Sequence, residues 1–318
     1  MTDGVLPDLR VAMCETVAEC HACEDLQLAV WVGSEREIVP YDILRAIRHA
    51  GGMVIGAWDG GRMVGMALSF VAFGAEGAYH HSHLLGVLPD YRRWGIGWRL
   101  KMAQRDFVLA QGLDLMTWTF DPLESANAHL NFAKLGVVSH TYLPDFYGAM
   151  PEALNAGLPS DRLLVEWRLD TPHVRGRLAT AESSALFGPL VSADAQNAPF
   201  LLRMADSGAP EVPPSPNPSP VRGRGELATN AENEFPSPTA VGEGSGEGGS
   251  RLRIEIPASI QSIKATDPAR ALAWRLATRA AFTEAFARGY LTTDYRAPRF
   301  HHPERGCYLL STPIPEQA

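Results

Sequence analysis

The chain has 318 residues, of which 46% are hydrophobic, and a formal net charge of −8. It is therefore long enough for one large domain or two modest ones with a buried core. The acidic balance argues against nucleic acid as the main partner, because phosphate binding needs a basic face. No window approaches the roughly 18 uninterrupted apolar residues of a membrane helix, and the start does not resemble a signal peptide. We expect a cytoplasmic protein that binds neither nucleic acid nor membrane.

The first 170 residues alternate helix and strand signals. Apolar residues at helical spacing predict helices over residues 20–32 and 40–49, and two apolar runs around a glycine-rich turn predict a hairpin of strands 53–58 and 63–73. The following elements are a strand over 80–88, a helix over 95–111, a strand over 115–120, a helix over 125–135, and strands over 137–142 and 163–169. This order indicates a mixed α/β sheet.

The four cysteines do not form the pattern of a disulfide framework. Cys14, Cys20 and Cys23 lie near the start and Cys307 near the end, and a chain of this length does not depend on disulfides. Cys20 and Cys23 form a lone CxxC, and a structural zinc site would need two more ligands at a suitable spacing. We predict thiols on an early helix and no metal site.

A change in composition divides the chain. Residues 207–250 are dense in Pro, Gly, Ser and Glu, and we predict a disordered insertion or linker because they offer little apolar surface to bury. Beyond it we predict strands over 252–256 and 307–310 and a long helix capped by Asp267. The predicted organisation is a main domain over 1–170, a connecting segment over 171–206, the insertion over 207–250, and an accessory segment over 251–318 that docks on the main domain.

The strongest functional signal lies in residues 83–101. There a strand ends and a loop with two arginines and two glycines leads directly into a helix, whose predicted buried side is Ile96, Leu100, Ala103, Phe107 and Ala110. The first amide groups of a helix have no internal partner, and the helix dipole adds partial positive charge there. Glycines let a ligand approach the backbone closely. The pattern predicts an anion site whose natural guest is a pyrophosphate.

Two other phosphate-binding loops are excluded by their motifs. The pattern GxxxxGK[ST] is absent, and Gly95 and Gly97 are not followed by the third glycine of a dinucleotide fingerprint. What remains is [QR]xxGx[GA] after a strand, filled by Arg92, Gly95 and Gly97. This motif resembles the coenzyme A loop of the GNAT superfamily of N-acetyltransferases, and the resemblance covers residues 20–148. A bacterial group of predicted GNAT acetyltransferases is similar in the stretches LGVLPDYRRWGIG, LMTWTFDPLESANAHLNFAKLG, YLPDFYG and DRLLVEWRL.

The resemblance implies a fold and an activity. The expected fold is an α/β, GNAT-like mixed and mostly antiparallel sheet flanked by helices, with the disordered insertion and a small C-terminal α/β segment. The expected activity is an acyl-CoA-dependent N-acyltransferase, with acetyl-CoA as the default donor and a small-molecule amine or amino acid as acceptor. An N-succinyl amino acid transferase that uses succinyl-CoA and a non-catalytic CoA-binding module stay open as alternatives, and so does a homodimer.

The resemblance also assigns the coenzyme contacts. Backbone amides from Arg93 to Trp98 would hold the pyrophosphate, and the strand over 85–87 would pair with the pantetheine arm. That strand and the strand over 115–120 would splay apart to admit the thioester. The expected contacts are Leu85, Gly86, Val87, Arg92, Arg93, Trp94, Gly95, Ile96, Gly97, Trp98 and Asn127.

Two histidines are candidates for the base that the reaction needs. An alkyl amine with a pKa of about 10 arrives protonated and must lose a proton before it attacks. His81 and His83 lie on the strand before the loop, and alternation predicts that they share a face with Leu85 and Val87. Histidine titrates near neutral pH, which suits a base. Packing or exposed sheet positions are the alternative interpretation.

The residue expected to act as general acid for the leaving thiolate departs from the pattern of the family. Phe132 stands where many GNAT enzymes have a tyrosine, four residues before the glycine that ends the helix, and phenylalanine cannot donate a proton. Either the thiolate leaves unaided or another residue serves. Tyr142 and Tyr147 are substitutes, or else wall and core aromatics, and Asp121 either meets the amine or caps a helix. Further candidates are Glu124, His129 and Asp145.

Overall fold

The structure is a computed structural model that describes residues 8–31, 38–148, 157–183, 198–205, 207–213, 251–298 and 302–312. The strands are β1 (Leu9–Met13), β2 (Met53–Asp59), β3 (Arg62–Gly74), β4 (Gly77–Val87), β5 (Leu115–Phe120), β6 (Val138–Leu143), β7 (Arg162–Arg168), β8 (Phe200–Met204), β9 (Pro210–Glu211), β10 (Arg251–Pro257), β11 (Leu291–Arg296) and β12 (Arg305–Ser311). The helices are α1 (Val17–Trp31), α2 (Tyr41–His49), α3 (Ile96–Ala110), α4 (Ser125–Ala128), α5 (Pro172–Ser183), α6 (Ile260–Thr266) and α7 (Pro268–Ala287). A 3₁₀ turn (Pro89–Trp94) precedes α3, and a π-helical turn (His129–Leu135) continues α4.

Within the described ranges the strands form one sheet in the order β1-β2-β3-β4-β5-β7-β6-β11-β12-β10-β8-β9. Neighbouring strands are antiparallel except for the parallel pairs β4–β5 and β10–β8. The predicted mixed, mostly antiparallel sheet flanked by helices is confirmed. No helix in the described part of the chain is both long and apolar enough to cross a bilayer.

Two apolar cores lie along this sheet. One packs α1, α2 and the start of α3 on β2 and β3, and it contains the buried Cys14, Cys20 and Cys23. The sulfur atoms of Cys14 and Cys23 are 3.7 Å apart. The other core combines β5 and β7 with α7 and the C-terminal strands, including Trp274 and Tyr308. The second core therefore joins parts of the chain on both sides of residues 214–250.

Polar contacts also join the C-terminal segment to the loop after β5 and to the residue before β7. The guanidinium of Arg275, which is 2% exposed, forms a bidentate pair with Asp121, with one Nη1–Oδ1 distance of 2.8 Å. Arg279 Nε donates to Asp161 Oδ2 at 2.8 Å, and the Tyr308 hydroxyl donates to the carbonyl of Pro122 at 2.7 Å. The contacts with Asp121 and Pro122 hold the β5–α4 connection, and the contact with Asp161 holds the start of β7.

The boundary predicted for the disordered insertion is wrong at its start. Residues 207–213 are described, and Pro210–Glu211 form β9, which pairs with β8. The indole of Trp274 donates to the carbonyl of Gly208 at 3.2 Å, so backbone groups hold a stretch whose side chains offer little to bury. Residues 214–250 lie outside the described residues. The expected connecting segment 171–206 contains α5 and β8.

Candidate active site

The parallel strands β4 and β5 pair only briefly. Their ladder consists of His80 opposite Met116 and His81 opposite Thr117. Beyond these two pairs β4 stays with β3 as far as Val87, while β5 stays with β7 as far as Phe120. The two strands therefore diverge toward their carboxyl ends and leave a wedge between them, as expected for these strands.

A β-bulge in β4 changes which side chains face the wedge. Leu84 lies opposite Leu68 and Ser82 opposite Ser69, so His83 has no cross-strand partner. Before the bulge, Ser82 faces α3, where its hydroxyl meets Lys101, and His81 points to the opposite face. After it, Leu85 faces α3, because a Cβ on Gly97 would lie 3.7 Å from Leu85 Cδ2.

The expectation that His81 and His83 share a face with Leu85 and Val87 is therefore wrong, since the extra residue reverses the alternation. The rings of His81 and His83 lie 5.4 and 6.0 Å from the ring of Phe70. The two histidines thus share the face of the sheet that is turned away from α3.

His81 is held at the point where the wedge begins. Its Nδ1 lies 2.9 Å from the hydroxyl oxygen of Thr117. Burial, together with the neighbouring His83 and Lys101, lowers the pKa of His81 to about 4. The imidazole is therefore neutral at pH 7 and can accept a proton, but its pKa lies below the near-neutral value expected from the sequence, so it is a weaker base. His83 is exposed.

Tyr147 reaches the same face of β5 from the loop after β6. Its hydroxyl lies 3.2 Å from the hydroxyl oxygen of Thr119, and its ring lies 5.2 Å from the guanidinium of Arg162. The side chain is 43% exposed. Because Thr117 and Thr119 are two residues apart on one strand, they share a face, so the structure brings His81 and Tyr147 to one surface.

Tyr142 is not part of this surface. It lies opposite Leu163, which lies opposite Phe120, so its side chain projects on the face opposite to Thr119. Its hydroxyl donates to Asp161 Oδ2 at 2.7 Å, its ring stacks on Phe282, and burial raises its pKa. These contacts favour a packing role over that of an acid in the wedge.

The carboxylates considered as candidates are engaged elsewhere. Asp121 pairs with Arg275 and accepts the amide of Leu123 at 2.8 Å, which is a local turn contact. Glu124 accepts from Gln261 at 2.6 Å, and burial raises its pKa. Asp145 Oδ1 accepts from the amide of Ser160 at 3.0 Å. Phe132 is fully buried and packs on Phe120 and Tyr308.

The loop at the mouth of the wedge has the geometry of an anion site. Gly95 adopts a left-handed conformation with φ of 69° and precedes α3, and no side chain caps this end of the helix. The first helical bond in α3 runs from the amide of Arg99 to the carbonyl of Gly95 at 3.1 Å. The amides of Ile96, Gly97 and Trp98 therefore have no acceptor within the helix.

Two further predicted contacts lie near this mouth. The exposed Arg92 donates from Nε to the carbonyl of Val87 at 3.3 Å, which holds the 3₁₀ turn against the end of β4. Asn127 is exposed on α4, the short helix that follows β5. A phosphorylated ligand at the helix terminus would thus enter between β4 and the elements that follow β5.

Sequence reasoning missed two polar residues on α3. The predicted buried side included Ala103, Phe107 and Ala110, whereas the buried residues are Ile96, Leu100, Lys101, Gln104 and Val108. The Lys101 ammonium nitrogen lies 2.9 Å from the Ser82 hydroxyl oxygen and 3.6 Å from the centre of the Trp118 ring. The available sequence signal was the spacing of Lys101 and Gln104 from Gly97, at i+4 and i+7, which puts all three residues on one face of α3.

Comparisons with known proteins indicate which family this domain resembles. The family model described as the Acetyltransferase (GNAT) family matches residues 13–137. No curated protein matches the chain. The ribosomal-protein-S18-alanine N-acetyltransferase from Escherichia coli is 15% identical, with 51% of this chain and 95% of that chain covered and a TM-score of 0.40.

Two other solved structures are similar at the same level. Salmonella typhimurium yncA with its cofactor acetyl-CoA is 17% identical, with coverage of 51% and 94% and a TM-score of 0.41. Arabidopsis thaliana Naa50 in complex with a bisubstrate analogue is 16% identical, with coverage of 50% and 97% and a TM-score of 0.40. Likenesses this distant carry no weight of their own, so the assignment rests on the family model. Residues 13–137 of this chain are a domain of the GNAT acetyltransferase family.

Proposed function

We propose that the protein is an acyl-CoA-dependent N-acyltransferase that acts on the amine of a small molecule or amino acid. The observation that carries the proposal is the short β4–β5 ladder, which ends at His81 and Thr117 and opens toward the uncapped start of α3. A narrow slot with an anion-binding mouth suits a long ligand that has phosphates at one end and a reactive group at the other.

The coenzyme would lie along β4. The amides of Ile96, Gly97 and Trp98 would bind the pyrophosphate, and the partial positive charge of the helix terminus would stabilise it. In the described residues no strand pairs with the β5 side of β4 beyond His81. Its peptide groups from Leu84 onward are therefore available to the amides of a pantetheine arm, in the manner of strand addition.

The acceptor would approach from the face that carries His81 and Tyr147. A neutral amine attacks the thioester carbon, so that an N–C bond forms and the C–S bond breaks. His81, which is neutral at pH 7, accepts the proton that the nitrogen loses on attack. The thiolate leaves and takes a proton from Tyr147 or from water, and the products are an amide and free CoA.

Thermal unfolding with ligands and a thiol-release assay test this function. A ligand that binds only the folded state stabilises it by about 2.7 kcal/mol at a hundredfold excess over Kd. We expect acyl-CoA and free CoA to raise the midpoint, and one class of primary amine to release free thiol. Stabilisation without thiol release from any amine would indicate a CoA-binding module instead. A folded protein that no CoA compound stabilises would exclude the proposal.

A further inference from the structure

Lys101 is buried in the middle of α3 and has no anionic partner among the described residues. It is 3% exposed, and its polar contacts are the Ser82 hydroxyl and the face of the Trp118 ring. Burial lowers its pKa well below the usual range, and no carboxylate opposes that shift. Beside it Gln104 is fully buried, and its Nε2 has no hydrogen-bond partner.

These two groups lie at the closed end of the wedge. Ser82 and Trp118 are the first residues of β4 and β5 beyond the last paired residues, and Lys101 contacts both. The amine thus occupies the point where the strands begin to separate, on the face toward α3.

The same helix face leads from the mouth of the wedge to this point. Gly97, Lys101 and Gln104 are spaced i, i+4 and i+7 and so lie in one stripe along α3. At Gly97 the stripe passes between Leu85 of β4 and Leu130 of the π-helical turn. A chain bound by its phosphates at the helix terminus and running into the wedge would therefore end against Lys101 and Gln104.

A buried ammonium without an opposite charge and a buried amide donor without an acceptor are both costly, and a ligand that ends in a methyl group would supply neither a charge nor an acceptor. A terminal carboxylate would supply an opposite charge and acceptor oxygens. We propose, building on the acyltransferase function, that the acyl group carries a terminal carboxylate, bound by Lys101 Nζ and Gln104 Nε2. The donor is then the CoA thioester of a short dicarboxylic acid, and transfer leaves the distal carboxylate unchanged.

Matched donors test this without any variant. Succinyl-CoA and butyryl-CoA have acyl chains of equal length and differ in the terminal carboxylate. We expect calorimetry on the full-length protein to give a Kd at least about tenfold lower for succinyl-CoA, a difference of roughly 1.4 kcal/mol. Equal Kd values would overturn the inference.

The Lys101→Met variant tests whether the Lys101 side chain causes the preference for succinyl-CoA. Methionine keeps the length of the side chain and removes its charge. We expect this variant to bind butyryl-CoA at least as well as succinyl-CoA, with the Kd of free CoA unchanged. Lys134→Met makes the same change at an exposed lysine and should keep the preference. A Lys101→Met protein that still prefers succinyl-CoA would contradict the assignment.

The outcomes separate this inference from the function on which it rests. If all CoA thioesters bind equally well, the acyltransferase proposal stands and the carboxylate inference fails. If neither the thioesters nor free CoA bind, both fail.

Discussion

His81 and Tyr147 hydrogen-bond to Thr117 and Thr119, two positions on one face of β5. The two side chains come from distant parts of the sequence, one from the strand before the coenzyme loop and one from the loop after β6. Their meeting on β5 puts the proposed base and the proposed acid on the surface from which an amine would approach the thioester.

Replacing Tyr147 by Phe should lower kcat without destabilising the protein, because an exposed hydroxyl is removed from the reacting face. Tyr142→Phe is the matched control. It removes a buried hydroxyl bonded to Asp161, so it should cost about 1 kcal/mol of unfolding free energy and leave kcat unchanged. Thiol-release kinetics and urea unfolding of both variants check this. A kcat that falls only in Tyr142→Phe would reverse the assignment.

The low pKa of His81 predicts a pH-dependent contribution to stability. The pKa of His81 is about 4 in the folded protein and 6.5 in the unfolded chain. Between pH 4 and pH 6.5 the unfolded chain therefore binds more protons than the folded protein. The contribution is fully present above about pH 6.5 and is lost as the pH falls toward 4. Relative to His81→Asn, the wild type should lose up to about 1.4 kcal/mol of unfolding free energy per pH unit in this window.

Urea unfolding of both proteins from pH 7 to pH 4 measures that difference. Using the difference between two proteins cancels the contributions of the other histidines. A difference in unfolding free energy that stays constant across the window would mean that His81 is not desolvated in the folded protein.

Gly97→Asp should abolish coenzyme binding and leave the fold intact. A Cβ at Gly97 meets its nearest atoms at 3.7 and 3.8 Å, which is ordinary contact, and an acidic residue in the first turn favours the helix. The carboxylate would repel a pyrophosphate at the same amides. Gly97→Asn, equal in size and uncharged, is the control and should bind CoA more tightly than Gly97→Asp. Equal CoA affinities measured by calorimetry would place the pyrophosphate elsewhere.

Arg275→Met should destabilise the protein by about 3–5 kcal/mol, because it leaves the carboxylate of Asp121 buried without its partner. Asp121 is 12% exposed and Arg275 is 2% exposed. Removing both charges in Arg275→Met with Asp121→Leu should recover much of that loss. Chemical denaturation of the single and double variants measures it, and a double variant no better than Arg275→Met would argue against a coupled pair.

The regular parts of the fold were predictable because their signals are local. Apolar periodicity located β5 and α3, and glycines marked helix ends, as at Gly136. The coenzyme loop was equally accessible, since its strand, glycines and helix are contiguous in sequence.

The faces of β4 and the interior of α3 were not predictable from local patterns. One extra residue at His83 reverses the alternation that placed the histidines, and nothing in its neighbours announces a bulge. Lys101 and Gln104 are polar and so were not part of the predicted buried side of the helix, whereas both are buried in the structure. The accessory strand β11 went unnoticed because its residues, LTTDYR, are mostly polar.

The ion pairs that attach α7 to Asp121 and Asp161 have a consequence for how the molecule can be divided. Among the described residues the sheet joins the two parts at two places, through Thr292 opposite Ser139 and through the parallel pairing of β8 with β10, and the ion pairs add side-chain contacts. Two polypeptides that end and begin within residues 214–250 would meet through the β8–β10 strand pair and a complementary charged and aromatic surface, like the subunits of a heterodimer. Produced separately and mixed, they should reassemble, and the C-terminal piece would act as an obligate subunit of the protein.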